Sequence, residues 1–191
     1  MWQRIQFKQQ SNRRRQLIFM AKSDLLIKGA RIIYKNFEGV GTDFNSPGDR
    51  NFCVVIDKEL ADQLSADGWN VKVSKPHPDD PDYEPYYFIK VKVSYRDKKT
   101  GQLKRYPPEL FMINSTGKHL LNEDTVKVLD MKRIVKADLL IYPWTYENRQ
   151  THEMRVQGYA KQLYATIEES ELEREYSSYD GPEMSLPFEP D

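Results

Sequence analysis

Residues 86–96 read YYFIKVKVSYR, and the period of two in this run decides the fold class. A β-strand turns successive side chains to opposite faces. One face takes Tyr87, Ile89, Val91, Val93 and Tyr95, an apolar set that needs burying. The other takes Tyr86, Phe88, Lys90, Lys92, Ser94 and Arg96: two aromatics, then three cations, with no acid among them. The plain reading of such lysines is a solvated strand that discourages edge-to-edge pairing. The sharper reading is chemical. Rings stack on bases, and cations two residues apart, ~6.6 Å along a strand, can follow a phosphate backbone, which together make a sheet surface for single-stranded nucleic acid.

The neighbouring stretches extend the β pattern. Trp69–Val73 alternates with Lys72 outward, and PHPDDPDYEP (76–85), with four prolines and four acids, cannot be regular structure. A hairpin with a long tip is therefore expected between Trp69 and Tyr86. Upstream, NFCVVID (51–57) is almost wholly apolar and reads as a central strand. GARIIYKNF (29–37) sets Arg31, Ile33, Lys35 and Phe37 against Ala30, Ile32 and Tyr34. The same alternation places Arg31, Lys35, Arg50 and Lys72 outward. EGVGTDFNSPGD (38–49) is a loop, and it is no P-loop, since no Gly-Lys-Ser/Thr follows. KELADQLSAD (58–67) is a short helix with Leu60 and Leu64 one turn apart and Gly68 as its C′ residue.

Downstream of Arg96, a polar turn (DKKTGQ) leads to a short strand at Leu110–Ile113. Asn122 is placed to cap a helix over NEDTVKVLDM. ADLLIYPWTYE (137–147) reads as a strand with Leu140, Tyr142, Trp144 and Tyr146 on one face, and Pro143 makes it an edge or bulged strand. MRVQGYAKQLYATI (154–167) is the last strand, and ELEREYSS makes a short helix. There are no internal repeats.

Composition sets the bounds. The 191 residues, 39% of them hydrophobic, suit one domain with appendages. No run approaches the ~20 apolar residues of a membrane span, and LIFM is too short for a signal h-region. The single cysteine, Cys53, makes no internal disulfide, so a cytoplasmic location is expected. The zero net charge hides an asymmetry: six bases and one acid up to Asp24, then 22 bases and 19 acids, then nine acids and one base from Glu168 onward. Charge blocks of this kind read as solvated or interacting ends. The expected division is a disordered basic extension over 1–23, a domain over 24–168, and a short helix with an acidic, Pro-containing tail over 169–191. MAKSDLLIKGARI, beginning at Met20, also reads as a natural start.

Catalytic signatures are missing from the pattern. His77, His119 and His152 have no partner at metal-ligand spacing, and no CxxC, HExxH, GxSxG or SxxK occurs. Cys53 lies within an apolar strand, as a structural thiol does. The acids of 79–84 sit in a Pro-rich loop, a poor cation cage. Asp57, Asp130 and Asp138 near element ends keep a metal-dependent nuclease as a distant alternative. No catalytic residue, metal or cofactor is assigned.

The segments KGARIIYKNFEGVGTDFNSPGDRNFCVVID, DGWNVKV, YYFIKVKVSYR, PPELFMI and LLNEDTVKVLDMKRIVKADLLIYPWTYE together resemble phage-encoded single-stranded DNA-binding proteins, over roughly residues 25 to 170. The resemblance implies a mainly β chain: an OB-fold-type β-barrel with elaborated loops, one or two short inserted helices and an acidic C-terminal tail. It implies binding and protection of single-stranded DNA without strong sequence preference, in phage replication or recombination. Tyr86 and Phe88 are then the stacking platforms, with Trp144 and Tyr34 beside them. Lys90, Lys92, Arg96, Lys72, Arg31, Lys35 and Arg50 are the phosphate contacts. The tail resembles the protein-docking tails of bacterial single-stranded DNA-binding proteins, with Phe188 as its docking aromatic and replication or recombination proteins as partners. It departs from them in ending Glu189-Pro190-Asp191. No membrane partner is expected, and a homo-oligomer is left open. The alternative reading is an OB-type interaction protein, an inhibitor or assembly factor for a host or phage protein, kept open by the near-neutral core.

Overall fold

The computed structural model describes residues 23–43, 45–75, 83–175 and 177. The expected basic extension, most of the 76–85 loop and Phe188 with the acidic end lie outside the described residues. In chain order the elements are β1 (Leu25–Asn36), β2 (Arg50–Ile56), α1 (Lys58–Ala66), β3 (Val71–Val73), β4 (Tyr87–Val93), β5 (Glu109–Asn114), β6 (Gly117–Leu121), α2 (Val128–Met131), β7 (Ile134–Glu147), β8 (Met154–Ile167) and α3 (Glu171–Glu175).

Five of the strands close on themselves. β1 pairs with β2, β2 with β4, β4 with β8, β8 with β7, and β7 returns to β1. All these pairings are antiparallel except β4–β8, which is parallel. The closed, mainly β barrel with β3 added outside β4 and a β5–β6 hairpin added to β8 is of the OB type, with α1 and α2 as short helices between strands. Closure removes the unpaired edges that an open sheet of this size would carry.

The alternation of β4 is real in three dimensions. Ile89, Val91 and Val93 are buried, as is Tyr95 beyond the strand end, while Phe88, Lys90 and Lys92 stay partly accessible. Phe52, Val54, Leu139, Ile141, Leu163 and Ala165 meet them inside the barrel. Each fully buried Leu, Ile or Phe contributes ~1.5–3 kcal/mol. Phe37 and Phe52 stack at 5.1 Å between centroids beneath the start of the β1–β2 loop. Trp69 plugs the barrel where β8 passes β4. A Cβ on Gly158 would lie 2.9 Å from both the Trp69 ring and Ile141 Cγ2, so only glycine permits that approach.

One local expectation is corrected, one strand is added, and one open alternative is decided. The helix over 122–131 shrinks to Val128–Met131, because the Asn122 side chain accepts from the Asp124 and Thr125 amides and organises a turn instead. The hairpin partner β6, GKHLL, was not foreseen. Of the two readings of Pro143, edge or bulged strand, β7 takes the bulged one: its register with β8 shifts between Leu140 and Ile141, and Pro143 lies just past the point where β1 leaves it.

Candidate nucleic-acid interface

Cross-strand register assembles a face from four strands. Arg31 of β1 pairs with Val55 of β2, Val55 with Phe88 of β4, and Phe88 with Lys72 of β3. Residues paired in this way share a face of the sheet, so one row runs cation, apolar floor, ring, cation. The next row is Ile33, Cys53 and Lys90. A third runs from Asn51 to Lys92.

Aromatic side chains gather at one end of this face. Phe88 lies 5.7 Å from Tyr34 and 6.1 Å from Tyr86, and Tyr83 adds a fourth ring 6.4 Å from Tyr86. The Arg31 guanidinium sits 5.8 Å over the Tyr86 ring, a cation–π arrangement. Tyr34 reaches this cluster only because β1 is irregular. The β1–β2 register shifts between Ile33 and Asn36, and Tyr34 adopts φ +49°, a left-handed conformation rare for an aromatic residue. Tyr34 is 62% exposed.

The cations are held less uniformly. Lys72 is exposed. Lys90 Nζ donates to Asn45 Oδ1 at 2.6 Å, and Asn51 Nδ2 donates to the same oxygen at 3.0 Å, so the β1–β2 loop is pinned over the second row. Burial lowers the Lys92 pKa, with repulsion from Lys98 adding to it. Burial raises the Cys53 pKa against the opposing pull of Lys72 and Lys90. Tyr86 is raised by its hydrogen bond with Tyr34.

Four residues expected on this face lie elsewhere. Beyond the bulge, Lys35 turns away and its ammonium donates to the carbonyls of Leu129 (2.8 Å) and Lys132 (2.6 Å) at the end of α2. Its pKa is lowered by burial, with Asp130 opposing. Arg50 pairs with the buried Val93, so it takes the inner side of the sheet and contacts Glu123 at 3.3 Å. Arg96 lies beyond β4, and its Nε meets the same Glu123 at 2.7 Å. Trp144 stands on β7, 52% exposed, beside the loop that follows β4. Conversely, Tyr83, Val55 and Asn45 belong to the face and were not foreseen. Tyr83 was hidden within a Pro/acid loop, and Asn45 depends on loop geometry that no periodicity encodes.

The scattered acids do not meet. Asp57 caps α1 through the Leu60 amide, Asp130 accepts from the Phe37 and Glu38 amides, and Asp138 accepts from the Gly29 amide. Among the described residues no group of three or more His, Cys, Asp and Glu could hold a metal ion, and no helix is long and apolar enough to cross a membrane.

A closed five-stranded barrel whose outer face over β1, β2 and β4 gathers rings from β1, β4 and the segment just before β4, flanked by cations, is an OB-type oligonucleotide-binding architecture. The chain belongs to the phage single-stranded DNA-binding family: the profile described as a putative phage ssDNA-binding domain matches residues 14–185. Among solved structures, it is similar to the single-stranded DNA-binding protein from bacteriophage Enc34 in complex with ssDNA (11% identity, 78% of this chain and 88% of that one, TM-score 0.47). It is also similar to gp2.5, a single-stranded DNA-binding protein encoded by bacteriophage T7 (13% identity, 84% and 92%, TM-score 0.42). No curated protein sequence matches the chain.

Proposed function

We propose that this protein binds and protects single-stranded DNA, without strong sequence preference, during phage replication or recombination in the host cytoplasm. The observation that carries the reading is the row Arg31–Val55–Phe88–Lys72 with Tyr34 and Tyr86 packed at its end. Rings accept any base because every base has a π-face, and flanking cations follow the backbone. Tyr34, Tyr86 and Phe88 stack on bases; Arg31, Lys72, Lys90 and Lys92 meet phosphates. The role is binding rather than catalysis. The acidic end, with Phe188, is the docking element for replication or recombination proteins.

The test is fluorescence anisotropy with a labelled ~30-nucleotide dT oligomer, longer than the ~4–16 nucleotides of one OB site, and with the matching duplex. Binding to the single strand should be at least tenfold tighter than to the duplex and should weaken steeply with salt, as counterion release requires. Equal affinity for both forms, or no binding at low salt, would reject the reading.

A further inference from the structure

The third row of the face does not stop at β4. Lys92 pairs in parallel register with Tyr159 of β8, and Tyr159 pairs with Tyr142 of β7. The outer side of the barrel therefore continues from the half-buried Lys92 to two further tyrosines, while Asn51 at the start of the row is buried under the β1–β2 loop. There it enters a groove of about 1320 Å³, walled by the segment 94–109, by residues 120–124, and by β8 and β7.

The lining repeats the chemistry of the first face. Trp144 lies one pleat beyond Tyr142, and Tyr106 is 80% exposed on the opposite wall. Lys104 Nζ sits 5.6 Å over the Tyr159 ring, and the Arg105 guanidinium 5.4 Å over Tyr106. Neither cation has a carboxylate within ion-pair distance among the described residues. Most of the groove's acids are already engaged: Glu123 by Arg50 and Arg96, Glu109 by Gln162, Asp97 by the Lys99 and Thr100 amides. Asp124 is the exception. An apolar groove for a protein segment would not need cations set over rings, nor continuity with Lys92.

We propose that this groove is a second binding stretch for the same single strand, which leaves the β1–β2–β4–β3 face past Lys92 and lays further bases against Tyr159, Tyr142, Trp144 and Tyr106. This rests on the single-stranded DNA reading above and extends it: one molecule engages a strand longer than its β2–β4 face covers. Lys104 and Arg105 take the phosphates of that stretch.

The test compares a ~6-nucleotide dT oligomer, within the range of a single OB site, with one of ~20 nucleotides. In the full chain carrying Trp2→Phe, Trp144 is the exposed indole and Trp69 a buried one. The long oligomer should quench the exposed emission and the short one should leave most of it. Trp144→Ala with Tyr106→Ala should weaken binding of the long oligomer about tenfold or more, with the short one changed less than about twofold. Lys104→Glu with Arg105→Glu, surface changes that spare the aromatic wall, should act in the same direction. Unchanged affinity for the long oligomer in both double variants, at wild-type melting temperature, overturns the proposal and leaves the groove to a protein partner. Equal losses for both lengths overturn the division into two stretches. Failure of the wild-type chain to bind either length is a different result, and rejects the underlying reading itself.

Discussion

The hydroxyls of Tyr34 and Tyr86 lie 3.3 Å apart across 52 residues of sequence. That contact exists because a bulge in β1 and a left-handed tyrosine lift the Tyr34 ring to the outer face, beside Phe88. Backbone strain of this kind is maintained only where surrounding structure over-determines it, and it concentrates at functional positions.

Tyr34→Gly separates the two roles of this residue. Glycine adopts the left-handed conformation freely, relieving ~1–2 kcal/mol, and costs ~0.5–1 kcal/mol in unfolded-state entropy. Losing the Tyr34–Phe88 ring contact costs a further ~0.5–1.5 kcal/mol, so the terms nearly cancel and the melting temperature should stay close to that of the wild type. Single-stranded DNA affinity should fall about fivefold or more, since a stacked base contributes ~1–3 kcal/mol. A thermal melt and an anisotropy titration on one preparation decide it; unchanged affinity removes Tyr34 from the interface.

Phe88 is the ring at the centre of the cluster, with Tyr34 and Tyr86 on either side. Phe88→Ala should weaken binding by about fivefold to a hundredfold. Adding Tyr86→Ala should weaken it further but less than additively, because the two rings touch. A double-mutant cycle measured by anisotropy reads the coupling directly.

Lys35 and Lys72 should behave as opposites. Lys35→Met strands the Leu129 and Lys132 carbonyls that the ammonium now serves, at a cost of ~1–3 kcal/mol of stability, and should leave DNA affinity within about twofold. Lys72→Glu, on the exposed end of the first row, should leave the melt unchanged and weaken binding with a shallower salt slope. A loss of affinity in Lys35→Met at full stability would return that residue to the interface.

Gly158→Ala tests barrel closure. The added methyl meets Trp69 and Ile141 at 2.9 Å, and overpacking of this kind costs ~1–3 kcal/mol. For a chain of this size that lowers the melting temperature by roughly 2–10 °C, measurable by circular dichroism. Binding well below the transition should persist, because neither Trp69 nor Ile141 is on the outer face.

Much of this was legible in the sequence, for a physical reason. Burial on one side of β4 imposes a strict period of two, so Ile89, Val91 and Phe88 declare their faces without tertiary knowledge. The aromatic-then-basic order of the outer set survived for the same reason. The errors arise where periodicity is interrupted or irrelevant. One bulge between Ile33 and Asn36 exchanges Tyr34 for Lys35 on the outer face. Arg50 and Arg96 read as free cations until Glu123, distant from both in sequence, closes on them. The third row, from Lys92 through Tyr159 to Tyr142, depends on a parallel pairing between strands 67 residues apart, such as Lys92 with Tyr159, and no local pattern announces it.

That pairing also has a consequence for how the molecule comes into being. The ring of strands is shut only by residues 154–167, which reach β4, β7 and β5 at once. A nascent chain emerging from the ribosome can form β1, β2, β3 and β4 early, yet its inner face stays uncovered until synthesis has passed β8. Distant pairings of this sort are slow to form because loop closure precedes any reward, and exposed apolar surface during that delay invites association with other chains. The lysines outside β4, present before the ring is shut, give the unfinished sheet a charged edge through this interval.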